Sequence, residues 1–453
     1  MSFAKRGTWL LAAPALAALA LVAVGCEEEK ECVGAECLTG GSSSSSSSGG
    51  GSGGGGGSGG GAACPPPADV PGVGPLVAVS TITFSPDLSM RTDTIQFADK
   101  LTVDGKVDGA RTIELAGTNS TLWQSKNKGE MFLAEADTGT VIKYGLGMDG
   151  TIEEKGKIGF AAYGVTSFYW TLVAMDTSSH AFLFDEKTLQ GFIWNPDCMT
   201  ITSNVDLTSK FNTMDGGKAY TIWREIQTLQ VGGKFFASFH YFDPATAAIL
   251  PRSGMLIMDP AKDSFDVVEI QNCAGLHNSV LGEDGKIYSG SGVIAAGANF
   301  LGVPGSMCLA RFDPATMTWD ETYKPNVPQL VDGMAVQYVG GLFKNASDPK
   351  APTYVRVLLK DLVPASIKNP LNVAAAPLWK TYKLDDIANP MAATDTMIAP
   401  AGGIIYPIEM DGKTYVSDAA IQQGKSWMID LSTDPPSKAL ELSGWGYYAV
   451  KFH

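Results

Sequence analysis

The chain is short of positive charge, of histidine and of long apolar runs. Its 33 Lys and Arg face 47 Asp and Glu, giving a formal net charge of −14, and it holds only four histidines. An acidic chain of this kind does not suit nucleic acid, whose phosphates call for a basic face. Beyond the N-terminal segment no apolar run reaches about 18 residues, which excludes a fold built of several membrane-spanning helices. Catalytic signatures are missing too. Outside the low-complexity N-terminal stretch there is no Gly-x-Ser-x-Gly elbow, no His-Glu-x-x-His helix and no glycine-rich phosphate loop. His180, His240, His277 and His453 are too dispersed to suggest a metal site, so neither metal nor cofactor is expected. What is present is 45% hydrophobic and 18% charged residues over 453 positions, enough to build a large core.

Residues 1–25 read as an export signal, with Lys5 and Arg6 followed by the apolar stretch Trp9 to Val24. The segment ends Ala23-Val24-Gly25-Cys26, which resembles the lipobox of bacterial lipoproteins and makes Cys26 the expected lipidated N-terminus. The alternative is an ordinary secretory peptide cleaved near Gly25. Residues 26–74 then form an expected tether, running through Ser42 to Ser48 and a glycine tract to Gly61. Such a composition buries too little apolar surface to offset its chain entropy. Roughly 40 such residues would hold a folded body about 35 Å from its anchor. With Cys26 assigned to lipid, Cys32, Cys37, Cys64, Cys198, Cys273 and Cys308 form an even set expected to pair in an exported protein. Their connectivity stays open.

Residues 75–453 show short β-branched and aromatic runs cut by Asp-Gly, Gly-Gly and Asn-Pro punctuation, an all-β pattern. One element recurs as Gly129-Glu130-Met131-Phe132, Gly217-Lys218-Ala219-Tyr220, Gly233-Lys234-Phe235-Phe236, Gly285-Lys286-Ile287-Tyr288 and Gly412-Lys413-Thr414-Tyr415. A second is Phe-Asp-Pro-Ala-Thr at Phe242 to Thr246 and Phe312 to Thr316, with looser copies beginning at Asp137, Asp185 and Asp259. Asp caps the turn, Pro fixes its φ and Thr opens the returning strand. Repetition of this kind predicts a single β-propeller. Taking each glycine-led or aromatic run as an inner strand gives units near 118–160, 161–210, 211–274, 275–330, 331–400 and 401–444. A seventh is expected from three N-terminal strands closed by Trp445 to Val450, which removes the open sheet edge. Seven blades allot about 54 residues each, a little above the usual about 40 to 50; six or eight stay open, and a β-sandwich with similar hairpins is the competing architecture.

Propeller enzymes of the sialidase type carry a Ser-x-Asp-x-Gly-x-x-Trp box, which is lacking here. Ligands of propellers collect at one mouth of the channel, so residues opening inner strands are the binding candidates. These are Trp123, Tyr163, Tyr169, Trp170, Trp223 with Arg224, His277 with Asn278, Tyr338, and Trp445 with Tyr447. Aromatics also pack between blades, which makes Arg224 and His277 the more informative pair: a cation facing the channel of an acidic protein suits an anionic ligand.

With its lipobox, Ser/Gly tether, Gly-Lys-aromatic elements and Phe-Asp-Pro-x-Thr turns, the chain resembles the propeller lipoproteins of myxobacterial siderophore clusters. It resembles more distantly a group of Bacteroidetes surface lipoproteins. The resemblance implies a non-enzymatic, outer-membrane lipoprotein that captures a ferric siderophore and passes it to a TonB-dependent receptor. Its motifs are architectural, so no binding residue is carried over. A scaffold that binds protein through a propeller face and a propeller hydrolase or lyase are the alternative functions.

Overall fold

A computed structural model describes residues 64, 70 and 72–453, apart from 85–90, 116–120, 169–170, 226, 244, 304–306, 324, 326–338, 345–347, 349, 385, 391–392, 404–405 and 419–424. The chain forms seven antiparallel sheets arranged in a ring, a seven-bladed β-propeller. Six blades follow chain order, their inner strands being Thr121–Gln124, Leu172–Thr177, Thr221–Arg224, Leu276–Leu281, Val339–Phe343 and Ile408–Met410. The seventh joins the two ends of the chain. Trp445–Lys451 pairs with Val77–Phe84, which continues outward to Arg91–Ala98 and Val107–Glu114. Ring closure by the C-terminal strand therefore follows the expectation, and the ladder extends past it. Leu76 and His453 exchange backbone hydrogen bonds of 2.9 and 3.0 Å, and the Gly129 N–H donates to the Phe452 carbonyl.

The repeated sequence elements take a different place from the one expected. The glycines at 129, 233, 285 and 412, all with φ between 74° and 77°, sit in the turn from the inner to the second strand. The runs they launch, such as Lys234–Asp243 and Ile287–Ser291, are second strands rather than inner ones. The physical reason is that a tight inner-to-second turn needs a residue with positive φ, whereas inner strands are entered through longer links from the preceding blade. Gly217 departs further, since it belongs to a small separate hairpin, Met214–Asp215 with Lys218–Ala219.

The two elements are coupled. Asp caps its turn as expected, but the two copies fall in different turns: Asp243, ending a second strand, accepts from the Ala245 N–H at 3.0 Å, and Asp313, ending a third strand, from the Ala315 N–H at 2.9 Å. The lysine after the turn glycines at 233, 285 and 412 pairs with the Asp that ends the third strand, in Lys234–Asp259, Lys286–Asp313 and Lys413–Asp430. One cross-strand ion pair thus recurs in the third, fourth and sixth blades and ties the second strand to the third.

Two short helices, Val293–Phe300 and Pro370–Ala375, interrupt the fourth and fifth blades. Neither was expected from the all-β pattern, and the first is apolar nearly all round, so it shows no helical stripe in the sequence. Both pack in one apolar cluster with Trp223, Phe242 and Trp379. Disulfides join Cys64 to Cys198, between the third and fourth strands of the second blade, and Cys273 to Cys308 beside the first helix. Cys26, Cys32 and Cys37 lie outside the described residues.

Candidate functional site

Arg224 ends the inner strand of the third blade, and its side chain is almost wholly buried, with the residue 4% exposed. The strand alternates. Ile222 and Arg224 are buried, while Trp223 points the other way, half-buried against the Phe242 ring edge at 5.3 Å between centroids. One guanidinium nitrogen, Nη2, donates to Glu186 Oε2 at 2.7 Å. Glu186 comes from the second blade, in the turn that follows His180–Asp185. Burial pushes its carboxyl upward and the Asp185 charge adds to this, against the pull of Arg224.

The fourth blade contributes His277 and Asn278 at the start of its inner strand, with His277 Nδ1 3.3 Å from Asn278 Oδ1. Burial drives His277 down to about 4; the neighbouring Arg224 charge works in the same direction and Asn278 against it. His240, on the second strand of the third blade, stands 6.1 Å from His277 between ring centroids and is pushed down to about 3, again chiefly by burial. Its Nδ1 donates to the Leu276 carbonyl at 2.8 Å, and among the described residues its Nε2 has no hydrogen-bond partner. Both imidazoles are neutral at pH 7, so the guanidinium carries the positive charge of this cluster.

The next residue, Glu225, bridges two blades. Its carboxylate oxygens accept from the Ser279 N–H at 2.9 Å and from the Ser238 hydroxyl at 3.2 Å. Burial outweighs these donors and raises it to about 8. On the closing blade, Tyr448 stacks on Tyr406 at 5.6 Å, and the Arg224 charge acts on its hydroxyl, which burial pushes far up. The third and seventh blades are not neighbours in the ring, so Arg224 stands where inner strands from several blades converge.

Of the residues singled out in the sequence, Arg224, His277 and Asn278 are thus brought together. Trp123 and Tyr447 are not part of this polar cluster. Trp123, 8% exposed, lies in the apolar core between the first two blades, and Tyr447, 1% exposed, lies in the core of the closing blade near Asp93. Tyr169 and Tyr338 lie outside the described residues. Glu186, Glu225, His240 and Tyr448 were missed. Glu186 sat inside an element read as a plain Asp-turn, and Tyr448 was one residue from the aromatic chosen.

No protein-family model matches the chain, and no curated protein matches its sequence. Solved structures do resemble it. A periplasmic gluconolactonase from Pseudomonas aeruginosa, PpgL, aligns at 12% identity over 83% of this chain and 98% of its own, with a TM-score of 0.50. AztD from Citrobacter koseri aligns at 12% identity over 83% and 98%, with a TM-score of 0.40. A protein of unknown function from Desulfotomaculum acetoxidans aligns at 10% identity over 84% and 99%, with a TM-score of 0.45. At such identities the likeness is one of fold.

Proposed function

We propose that the protein is a lipid-anchored, non-enzymatic binding propeller of the bacterial cell envelope, held at the outer membrane through Cys26, with a small anionic ligand at the inner-strand cluster. The observation that carries this reading is Arg224, a guanidinium kept inside an acidic protein between blades, with two neutral histidines beside it. With about two more units of negative charge once Lys5 and Arg6 are removed with the signal, long-range steering of an anion is unfavourable, so affinity must come from short-range contacts. A ferric siderophore handed to a TonB-dependent receptor is the finer reading, and it rests on the family resemblance. Since Arg224 is nearly buried, it would meet one anionic edge of such a ligand.

Titrating ferric catecholates by tryptophan quenching tests this. Arg224→Ala is expected to weaken binding by about 1 to 3 kcal/mol, a charge-assisted hydrogen bond's worth. Wild-type protein that is quenched by no ferric siderophore would sink the finer reading. A second reading, a hydrolase, is favoured by one feature: a neutral imidazole at His277 beside a cation able to stabilise an oxyanion. Turnover of a chromogenic ester that disappears in His277→Gln would support it.

A further inference from the structure

We propose that Glu186 is an internal stand-in for a ligand carboxylate, and that a small carboxylate binds by exchanging for Glu186 on Arg224. This rests on reading Arg224 as an anion site and names the chemistry and the moving part of that site.

The two partners are held very differently. Arg224 belongs to a strand, with Arg224 opposite Phe239 in the ladder. Glu186 lies beyond the last ladder pair of its hairpin, Gln190 opposite Asp185, so its turn can re-aim the side chain without breaking the sheet. Side-chain exposure follows suit, at 3% for Arg224 and 15% for Glu186. The cation is fixed and enclosed, whereas the anion stands at the solvent side of the pair. Swinging Glu186 out returns a poorly solvated carboxylate to water, which offsets part of the cost of losing the pair. A carboxylate entering in its place would meet the guanidinium, with neutral His277 alongside, and would feel the same Asp185 charge that disfavours ionised Glu186. His240 gives an independent sign that the cluster is shaped for a guest: its Nε2, on a residue 1% exposed, is a buried lone pair lacking a donor among the described residues. A donor carried by the guest or by its water would satisfy it.

Isothermal titration of the full mature chain with citrate and with acetate tests the exchange. Removing the competitor in Glu186→Gln is expected to tighten citrate and acetate by about tenfold or more, and Arg224→Gln is expected to abolish both in either background. A folded Glu186→Gln variant that binds them no more tightly than wild type overturns the inference. If the wild type takes a ferric siderophore through Arg224 and Glu186→Gln leaves that affinity and the carboxylates unchanged, the anion site stands and the exchange falls. If neither protein binds carboxylates or siderophore, both fall. Should Glu186→Gln fail to fold, a wild-type structure with citrate decides: a citrate carboxylate on Arg224 with Glu186 turned out supports exchange, and Glu186 still on Arg224 with citrate elsewhere refutes it.

Discussion

Replacing Phe452 with alanine tests whether the C-terminal strand closes the ring energetically as well as geometrically. Phe452 is fully buried, packs edge-on to Phe97 at 5.5 Å, and shares a core with Leu76, Ala78, Leu122 and Met131. Its backbone donates to the Leu76 carbonyl at 2.8 Å and accepts from the Gly129 N–H. Through its ring and its backbone this one residue therefore ties the closing blade to the first. Truncating a buried Phe to Ala costs about 3 to 5 kcal/mol, which includes the edge-to-face contact. A body of residues 75–453 has an unfolding entropy near 0.8 kcal/mol per degree, taking about 2.1 cal/mol/K per residue. The expected drop in melting temperature is therefore about 4 to 6 °C by calorimetry. Deleting 445–453 removes Tyr447, Tyr448, Val450 and Phe452 together, all buried, and is expected to exceed the about 5 to 15 kcal/mol that stabilises a typical domain. The control deletion must be 27–63, because Cys64 is bridged to Cys198. Melting of Phe452→Ala within about 1 °C of wild type would refute closure as a stabilising event.

Other expectations follow from the buried charges, the cysteines and the anchor. Because burial raises Glu225 in the folded state, from the ordinary 4.5 to about 8, its contribution to stability is full below about pH 4.5 and is lost as the pH rises to about 8; Glu225→Gln should flatten that decline in a pH series of melts. Arg224→Ala removes the enclosed half of a pair whose other half can turn to water, so it should cost less than the about 3 to 5 kcal/mol of a charge left buried without its partner, read from urea midpoints. Removing the Cys273–Cys308 bridge, which closes a loop of 35 residues, should cost about 3 to 4 kcal/mol, measured on the Cys273→Ala/Cys308→Ala pair. Cys26→Ser should move the protein from membranes to a soluble fraction; retention in the membrane would refute lipid anchoring.

Much of the fold was legible because turn chemistry is local. A glycine with positive φ or an Asp that caps its own turn is dictated by neighbours within four residues, so each copy could be read by itself, and the six internal units fall close to the observed sheets. Which strand a glycine launches was not legible. Inner and second strands are both short, apolar and aromatic, and they differ in how they are entered rather than in their composition. The helix Val293–Phe300 escaped because its eight residues, nearly all buried, show apolar character all round instead of a stripe.

The candidate site was less legible for a reason built into the architecture. The repeat encodes the outer part of each blade, where Lys286 and Asp313 or Lys413 and Asp430 meet within one sheet. The polar cluster is made instead from departures between blades: Arg224 on the third, Glu186 on the second, His277 on the fourth and Tyr448 on the seventh. Their separation in sequence carries no period, and their meeting depends on the ring being closed at the right number of blades. Residues chosen for aromatic character, such as Trp123 and Tyr447, satisfied the same rule of position yet went to the core, because burying a large ring between sheets is favourable without any partner. A buried guanidinium has no such option. It must find a carboxylate, and in this ring the carboxylate it finds is carried by a turn, where it is free to leave.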